Sequence, residues 1–171
     1  MSQKLLKNIE FELSKNDINR AIREVRHFQE ELQRQCLELV RALTETGTEV
    51  AKMQVASMDA VDTGELENDI AGVFFPEERI GVVFSPTPHA LFVEYGTGIV
   101  GAGTYPSDGE TPQGWEYDYN HHGNAGWVYK NKNDGKFYWT RGYIARPFML
   151  NTLRWLEEHA ETEAGKIWAE M

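Results

Sequence analysis

Cysteine is all but absent from this chain. Cys36 stands alone, so no disulfide can form within it. It occupies an apolar position of a helical pattern, where a small buried side chain is expected. Long hydrophobic runs are missing too: none approaches the roughly 20 residues needed to span a bilayer, and no membrane partner is expected. Positive charge is scarce, with 17 Lys and Arg against 27 Asp and Glu for a formal net charge of −10. That balance argues against a protein that grips nucleic acid, because phosphate binding needs clustered cations. An acidic wall can still face DNA that slides past it, since like charges repel within a Debye length. The opening Met1-Ser2-Gln3-Lys4 leads into a mixed polar segment with no apolar core. No secretory signal is therefore expected, and the chain is assigned to a cytoplasm unless it leaves inside a larger particle.

The signatures of catalysis are equally thin. Nothing resembles a nucleophile elbow, a phosphate-binding loop or a zinc-hydrolase helix motif. Gly101-Ala102-Gly103 is a lone flexible run. His121-His122 with Asp118 nearby suggests a metal cluster, but adjacent loop residues seldom both ligate one ion, and no further Cys or His completes a set. His89 can be drawn as a pair with Glu94 or Asp69 without any nucleophile to serve. The expectation is no catalytic residue, no cofactor and no metal.

The chain does hold a globular composition: 171 residues, 41% hydrophobic and 12% aromatic, enough for one domain with a core. From Ile18 to about Ser57, Ile18, Ile22, Val25, Leu32, Cys36, Leu39, Leu43, Val50 and Met53 recur at steps of three, four or seven. That spacing predicts an amphipathic helix, capped by Asn16 or Asp17. At 1.5 Å per residue it would run about 55–60 Å, so it must either break near Gly47 or project and pack on a neighbour. A coiled-coil dimer is the rival for this spacing, but Gln29 and Thr46 fall on the stripe, and one helix laid across a sheet is expected instead. Residues 1–17 are read as a loose arm. Two short strands, Ile70–Phe75 and Arg79–Ser85, flank a turn at Pro76-Glu77-Glu78. Pro86 and Pro88 open a short helix from His89 to Tyr95, and Gly96 ends it. A last helix starts at Pro147 and buries Phe148 and Met149. The predicted architecture is α+β: a long N-terminal and a C-terminal helix packed on one face of a small, mostly antiparallel sheet. All 171 residues form a single domain.

Residues 97–142 are unusual. With Gly96 they hold ten of the fifteen glycines, and they carry nine of the twenty aromatics. Two pieces, Gly126–Lys130 and Lys136–Thr140, read as a hairpin turning through Asn133-Asp134-Gly135. Residues 98–125 read as a long loop, and long loops in compact domains are usually functional or disordered. The loop 97–140, and in it Trp115, Tyr117 and Tyr119, is expected to contact a partner. Removing 101–122 should leave a folded chain unable to assemble. Glu94 is expected to fix the root of this loop, by accepting from loop backbone N–H groups or by pairing with Arg146. A rival function uses the aromatic hairpin 126–139, since stacked Trp and Tyr faces can hold sugars or a quaternary ammonium. Proteins that work this way need several tandem copies and are secreted. Here there is one copy and no expected signal.

Three separated segments carry a family resemblance. His89-Ala90-Leu91-Phe92-Val93-Glu94-Tyr95-Gly96-Thr97-Gly98 ends an apolar stretch in Val-Glu-Tyr-Gly-Thr-Gly. Ala145-Arg146-Pro147-Phe148-Met149 opens the last helix, and Thr63-Gly64-Glu65-Leu66 supplies a Thr-Gly-x-Leu element upstream. Together, in this order, they resemble the head–tail joining, or tail-completion, proteins of long-tailed phages, over roughly residues 60–155. The resemblance implies a structural role in a phage or prophage particle, in a ring at the head–tail junction or the top of the tail. It implies a hexamer around the DNA channel that encloses DNA without specific binding. The implied partners are other copies of the chain, head-connector or head-closure proteins and the tail tube. The implied location is the virion neck, with the host cytoplasm during assembly. The residues expected to fix the loop root are Glu94, Tyr95, Gly96, Thr97, Arg146 and Pro147.

Overall fold

A computed structural model describes residues 14–58, 64–131 and 134–169. The expectations for residues 1–13, Thr63 and Asn133 lie outside the described residues. Helix α1, Lys15–Ser57, runs 43 residues without a break. Its N-cap is Ser14, not Asn16 or Asp17: the Ser14 hydroxyl accepts from the Asp17 N–H at 3.2 Å. Residues 15–17 thus belong to the helix rather than to an arm. A short helix α2, Glu65–Asp69, leads into strands β1, Ala71–Phe75, and β2, Ile80–Phe84. These pair antiparallel with Val73 opposite Val82. Helices α3, Ala90–Tyr95, and α4, Gly98–Gly101, follow. A second hairpin joins β3, Trp127–Lys130, to β4, Phe137–Thr140. A two-residue strand β5, Gly142–Tyr143, and helix α5, Phe148–Ala169, complete the order. The architecture is α+β, but the described strands form two separate two-stranded sheets, not one.

Helix α1 stays continuous at Gly47 because the glycine lets a neighbour approach. A methyl placed there would stand 3.0 Å from Leu156 Cδ1 and 3.3 Å from Val83 Cγ2. The C-terminal half of α1 lies against both β1–β2 and α5. This differs from two helices sharing one sheet face: α5 packs chiefly on α1. The face of α1 against the hairpin is made of small residues. Thr44 and Thr48 satisfy their hydroxyls on the helix's own carbonyls, Val40 at 2.7 Å and Thr44 at 2.8 Å. Opposite them stand Gly72 and Gly81, where a methyl would run into the Thr48 or Thr44 hydroxyl. Glycine is what brings helix and strands this close.

The core gathers Ala51 and Val55 of α1, Leu66 of α2, Ile70, Ala90 of α3 and Phe148 of α5, with Met149 packed against it. The predicted stripe of α1 does not coincide with this core. Of its nine residues only Val50 is buried; Cys36 and Met53 are exposed. Among the described residues nothing covers the apolar stripe of α1 from Ile18 to Leu32, so that side faces solvent.

Helices α1 and α5 run antiparallel, with Leu156 at Gly47 and Phe148 beside Val55. That register brings Trp168 to the level of Gln35. Gln35 Oε1 and Trp168 Nε1 are both buried without a hydrogen-bond partner. An unmet buried acceptor costs more than an apolar group of the same shape. Gln35→Leu is therefore expected to raise stability by about 1 kcal/mol, read as a higher denaturant midpoint at unchanged slope. A lower midpoint would mean that the Gln35 Nε2 bond to Glu31, at 3.3 Å, matters more.

Candidate functional site

Glu94 is the penultimate residue of α3 and is only 4% exposed. A carboxylate buried this deeply needs donors, and the first turn of α5 supplies them. Met149 N–H donates to Oε2 at 2.9 Å and Leu150 N–H to Oε1 at 3.1 Å, while the Tyr105 hydroxyl donates to Oε1 at 3.2 Å. The first N–H groups of a helix lack internal partners and carry its positive dipole end, so an anion suits them. Glu94 thus caps α5 from 55 residues away. Burial pushes its carboxyl above the ordinary 4.5, and the same N–H donors and Tyr105 pull it back. Tyr105 is held far above its usual value, first by burial and then by the negative charge of Glu94.

Arg146 takes the other part of the anchor, through its backbone. Its N–H donates to the Val93 carbonyl at 2.8 Å. Among the described residues no ion pair joins Glu94 to Arg146; the expected side-chain pairing is replaced by N–H donors, because Phe148 enters the core and turns α5 end-on to Glu94. Next along the chain, Thr97 and Gly98 bridge antiparallel to Tyr143 and Gly142. Thr97 Oγ1 accepts from Tyr143 N–H at 3.2 Å. Gly96 has φ +83, and a methyl on it would lie 2.8 Å from the Ala145 nitrogen and the Tyr143 carbonyl. Only glycine takes that conformation without strain and leaves room for the crossing backbone. Val93–Gly98 and Tyr143–Phe148 are therefore stitched together, with Pro147 half-buried between Arg146 and the core.

From this root the loop departs, and it is more ordered than its glycines suggest. Of the three aromatics expected to reach a partner, two turn inward. Trp115 packs on Phe92 and Tyr95 at centroid distances of 5.5 and 5.2 Å, and Tyr117 lies edge-on to Trp115 at 6.3 Å. Tyr95 also contacts Tyr105, at 4.7 Å. Tyr119 alone stands out, 75% exposed. Because 101–122 contains both Tyr105 and Trp115, deleting it would strip Glu94 and α3 of their partners, and a folded product is no longer expected. Tyr105 went unnoticed in the sequence; its signal, a phenol eleven residues beyond a carboxylate, is too weak to single out.

Asp118 and His122 do meet, at 3.1 Å. Asp118 already accepts from the backbone N–H of His122 at 3.0 Å and of Gly123 at 2.6 Å, which holds its carboxyl below the usual range, Gly123 foremost. Its role is to form a turn, and the His122 ring lies on Trp127 at 4.9 Å. Among the described residues no three His, Cys, Asp or Glu gather closely enough to hold a metal ion. Asp69 accepts from the Thr87 hydroxyl at 3.1 Å, and Glu94 is committed to α5. No described helix is long and apolar enough to cross a membrane.

The hairpin β3–β4 divides its aromatics by face. Tyr129 and Tyr138 pair across the strands at 6.0 Å and Tyr129 meets Tyr143 at 6.4 Å. The other face presents Val128, Phe137 and Trp139 to solvent, with Lys130 beside Phe137. The Arg141 guanidinium lies 5.8 Å from the Trp139 ring centre, a cation–π contact that occupies the ring. These cations repel a quaternary ammonium.

A double-mutant cycle separates the two descriptions of the root. Glu94→Gln with Tyr105→Phe is expected to show coupling of about 1 kcal/mol. Glu94→Gln with Arg146→Ala should add independently, and coupling there would restore the side-chain pairing. Comparison with protein-family models, curated proteins and solved structures finds no match for this chain.

Proposed function

We propose that this protein is a structural subunit of a tailed phage or prophage particle, a ring component at the head–tail junction or the top of the tail. The observation that carries this reading is the anchor itself. The Val-Glu-Tyr-Gly-Thr-Gly and Arg-Pro-Phe segments, on which the resemblance rests, join into one hydrogen-bonded unit at the root of the aromatic loop. The surface adds support. Tyr119, Phe137 and Trp139 lie exposed beyond that root, and aromatics of this kind form the centres of protein interfaces. The proposed partners are other copies of the chain in a hexamer, head-connector or head-closure proteins and the tail tube. An acidic lumen lets DNA pass without holding it.

Electron microscopy of lysates from a phage or prophage with a nonsense mutation in this gene tests the proposal. DNA-filled heads beside separate tails are expected; irregular tail length would move the protein to the terminating ring at the top of the tail. Joined particles with normal tails would overturn it. Tyr119→Ser with Phe137→Ser should change stability by less than about 0.5 kcal/mol per exposed position yet reduce joined particles. Binding of peptidoglycan fragments at millimolar concentration, abolished by Phe137→Ser, would instead favour the carbohydrate reading of 126–139.

A further inference from the structure

Strands β1 and β2 are built inside out for an isolated chain. Gly72 and Gly81 face α1, whereas the cross-strand pairs on the opposite face are Ala71 with Phe84, Val73 with Val82 and Phe75 with Ile80. Those five larger side chains are 37–50% exposed. A second apolar surface lies on the N-terminal half of α1, where Ile18, Ile22, Val25, Phe28 and Leu32 are 37–51% exposed. Each presents roughly 400 Å² of apolar area, the size at which a patch on a monomer is usually functional. The two cannot meet within one chain. Helix α1 is unbroken and its C-terminal half already covers the inner face of the same hairpin.

We infer that the N-terminal half of α1 docks on the outer face of β1–β2 of a second copy of this chain, head to tail. The fit in length is close. Five-residue strands span about 17 Å, and the stripe from Ile18 to Leu32 spans about 21 Å. The fit in area is adequate: roughly 800 Å² of apolar surface, at the usual apolar share, corresponds to an interface of about 1,400 Å², within the standard class. Charge agrees. Residues 64–88 carry five acidic side chains, Glu77 and Glu78 at the hairpin tip among them, against Arg79 alone. Residues 15–34 carry five Lys or Arg against four acids, a locally positive stretch in a chain of net charge −10. Each hairpin would then lie between two helices, its own on the glycine face and a neighbour's on the large apolar face. An interface of two different surfaces repeats from copy to copy and closes into a ring where its rotation divides the circle, whereas stripe on stripe would stop at a dimer with the outer sheet face of each copy bare.

This inference rests on the ring reading and names its contact. The test is sedimentation velocity on the purified full chain and on Val25→Asp and Val82→Asp, two exposed positions whose circular dichroism and melting should match the parent. The parent should associate and each variant alone should be monomeric. An equimolar mixture should form dimers and stop there, because only the stripe of the Val82→Asp copy and the sheet of the Val25→Asp copy remain intact. Dimers of Val82→Asp alone would mean stripe pairs with stripe, dimers of Val25→Asp alone would mean sheet pairs with sheet, and either overturns the inference. So does a parent that is monomeric at its highest soluble concentration. Rings that survive both substitutions overturn it while leaving the ring reading standing. Normal joined particles from the nonsense mutant remove the ring reading itself, whatever the mixture does.

Discussion

Glu94→Ala is expected to destabilise the fold by about 3 kcal/mol. The substitution leaves the Met149 and Leu150 N–H groups and the Tyr105 hydroxyl facing a dry pocket. Each unmet donor costs about 1–3 kcal/mol, less where water can enter. The loss should appear as a lower midpoint in denaturant, with the loop 97–142 more open to protease because its root is released. Glu94→Gln keeps one acceptor oxygen but aims an amide N–H at a donor, so about half the loss is expected. A variant as stable as the parent would mean the carboxylate does not cap α5.

The same residue sets a pH dependence. Burial raises the folded value of Glu94 above the ordinary 4.5, so between the two values the folded chain binds more protons than the unfolded one. Its titration then adds stability that is fully present below 4.5 and is lost as pH rises through the folded value. Glu94→Gln should flatten the fall in stability across that window, measured by denaturation from acid to neutral pH. A profile that steepens would reverse the sign.

Phe148→Ala is expected to cost still more, about 4 kcal/mol. The ring is 1% exposed and meets residues from α1, α2 and α3. These elements come from distant parts of the chain, so the cavity cannot close by a local shift. For a chain of this size the melting temperature should drop by roughly 10 °C. Phe148→Leu, which keeps most of the volume, should lose no more than about 1.5 kcal/mol. Equal losses for Ala and Leu would point to ring geometry rather than volume. Phe148→Ala should lose assembly through instability, which separates it from Val25→Asp and Val82→Asp, expected to melt normally.

Much of the element order was legible in local pattern. The first strand pair, the short helix before Gly96, the aromatic hairpin and the last helix fall within a residue or two of their expected bounds, because period and turn residues are local signals. Glu94 was singled out in the sequence, from its place before Tyr95-Gly96. Its partners were not, since the carboxylate meets the first turn of α5 only after Phe148 has packed. Trp115 and Tyr117 illustrate the same limit: an aromatic in a glycine-rich loop reads alike whether it packs on α3 or stands in solvent as Tyr119 does. Helices α4 and α2 were missed because four or five residues hold too little periodicity to register.

Amino-acid order alone determined the long helices, which segments pair as hairpins and where apolar side chains gather on a face, because backbone geometry links spacing to side within a few residues. Tertiary structure alone decided which of those faces are covered. The stripe of α1 and the outer side of β1–β2 carry the pattern of a core, yet the chain folds its small residues inward at Gly47, Gly72 and Gly81 and leaves the larger ones outside. Burial depends on what arrives from distant parts of the sequence, and close approach of α1 to the hairpin through glycine and threonine sets which side that is.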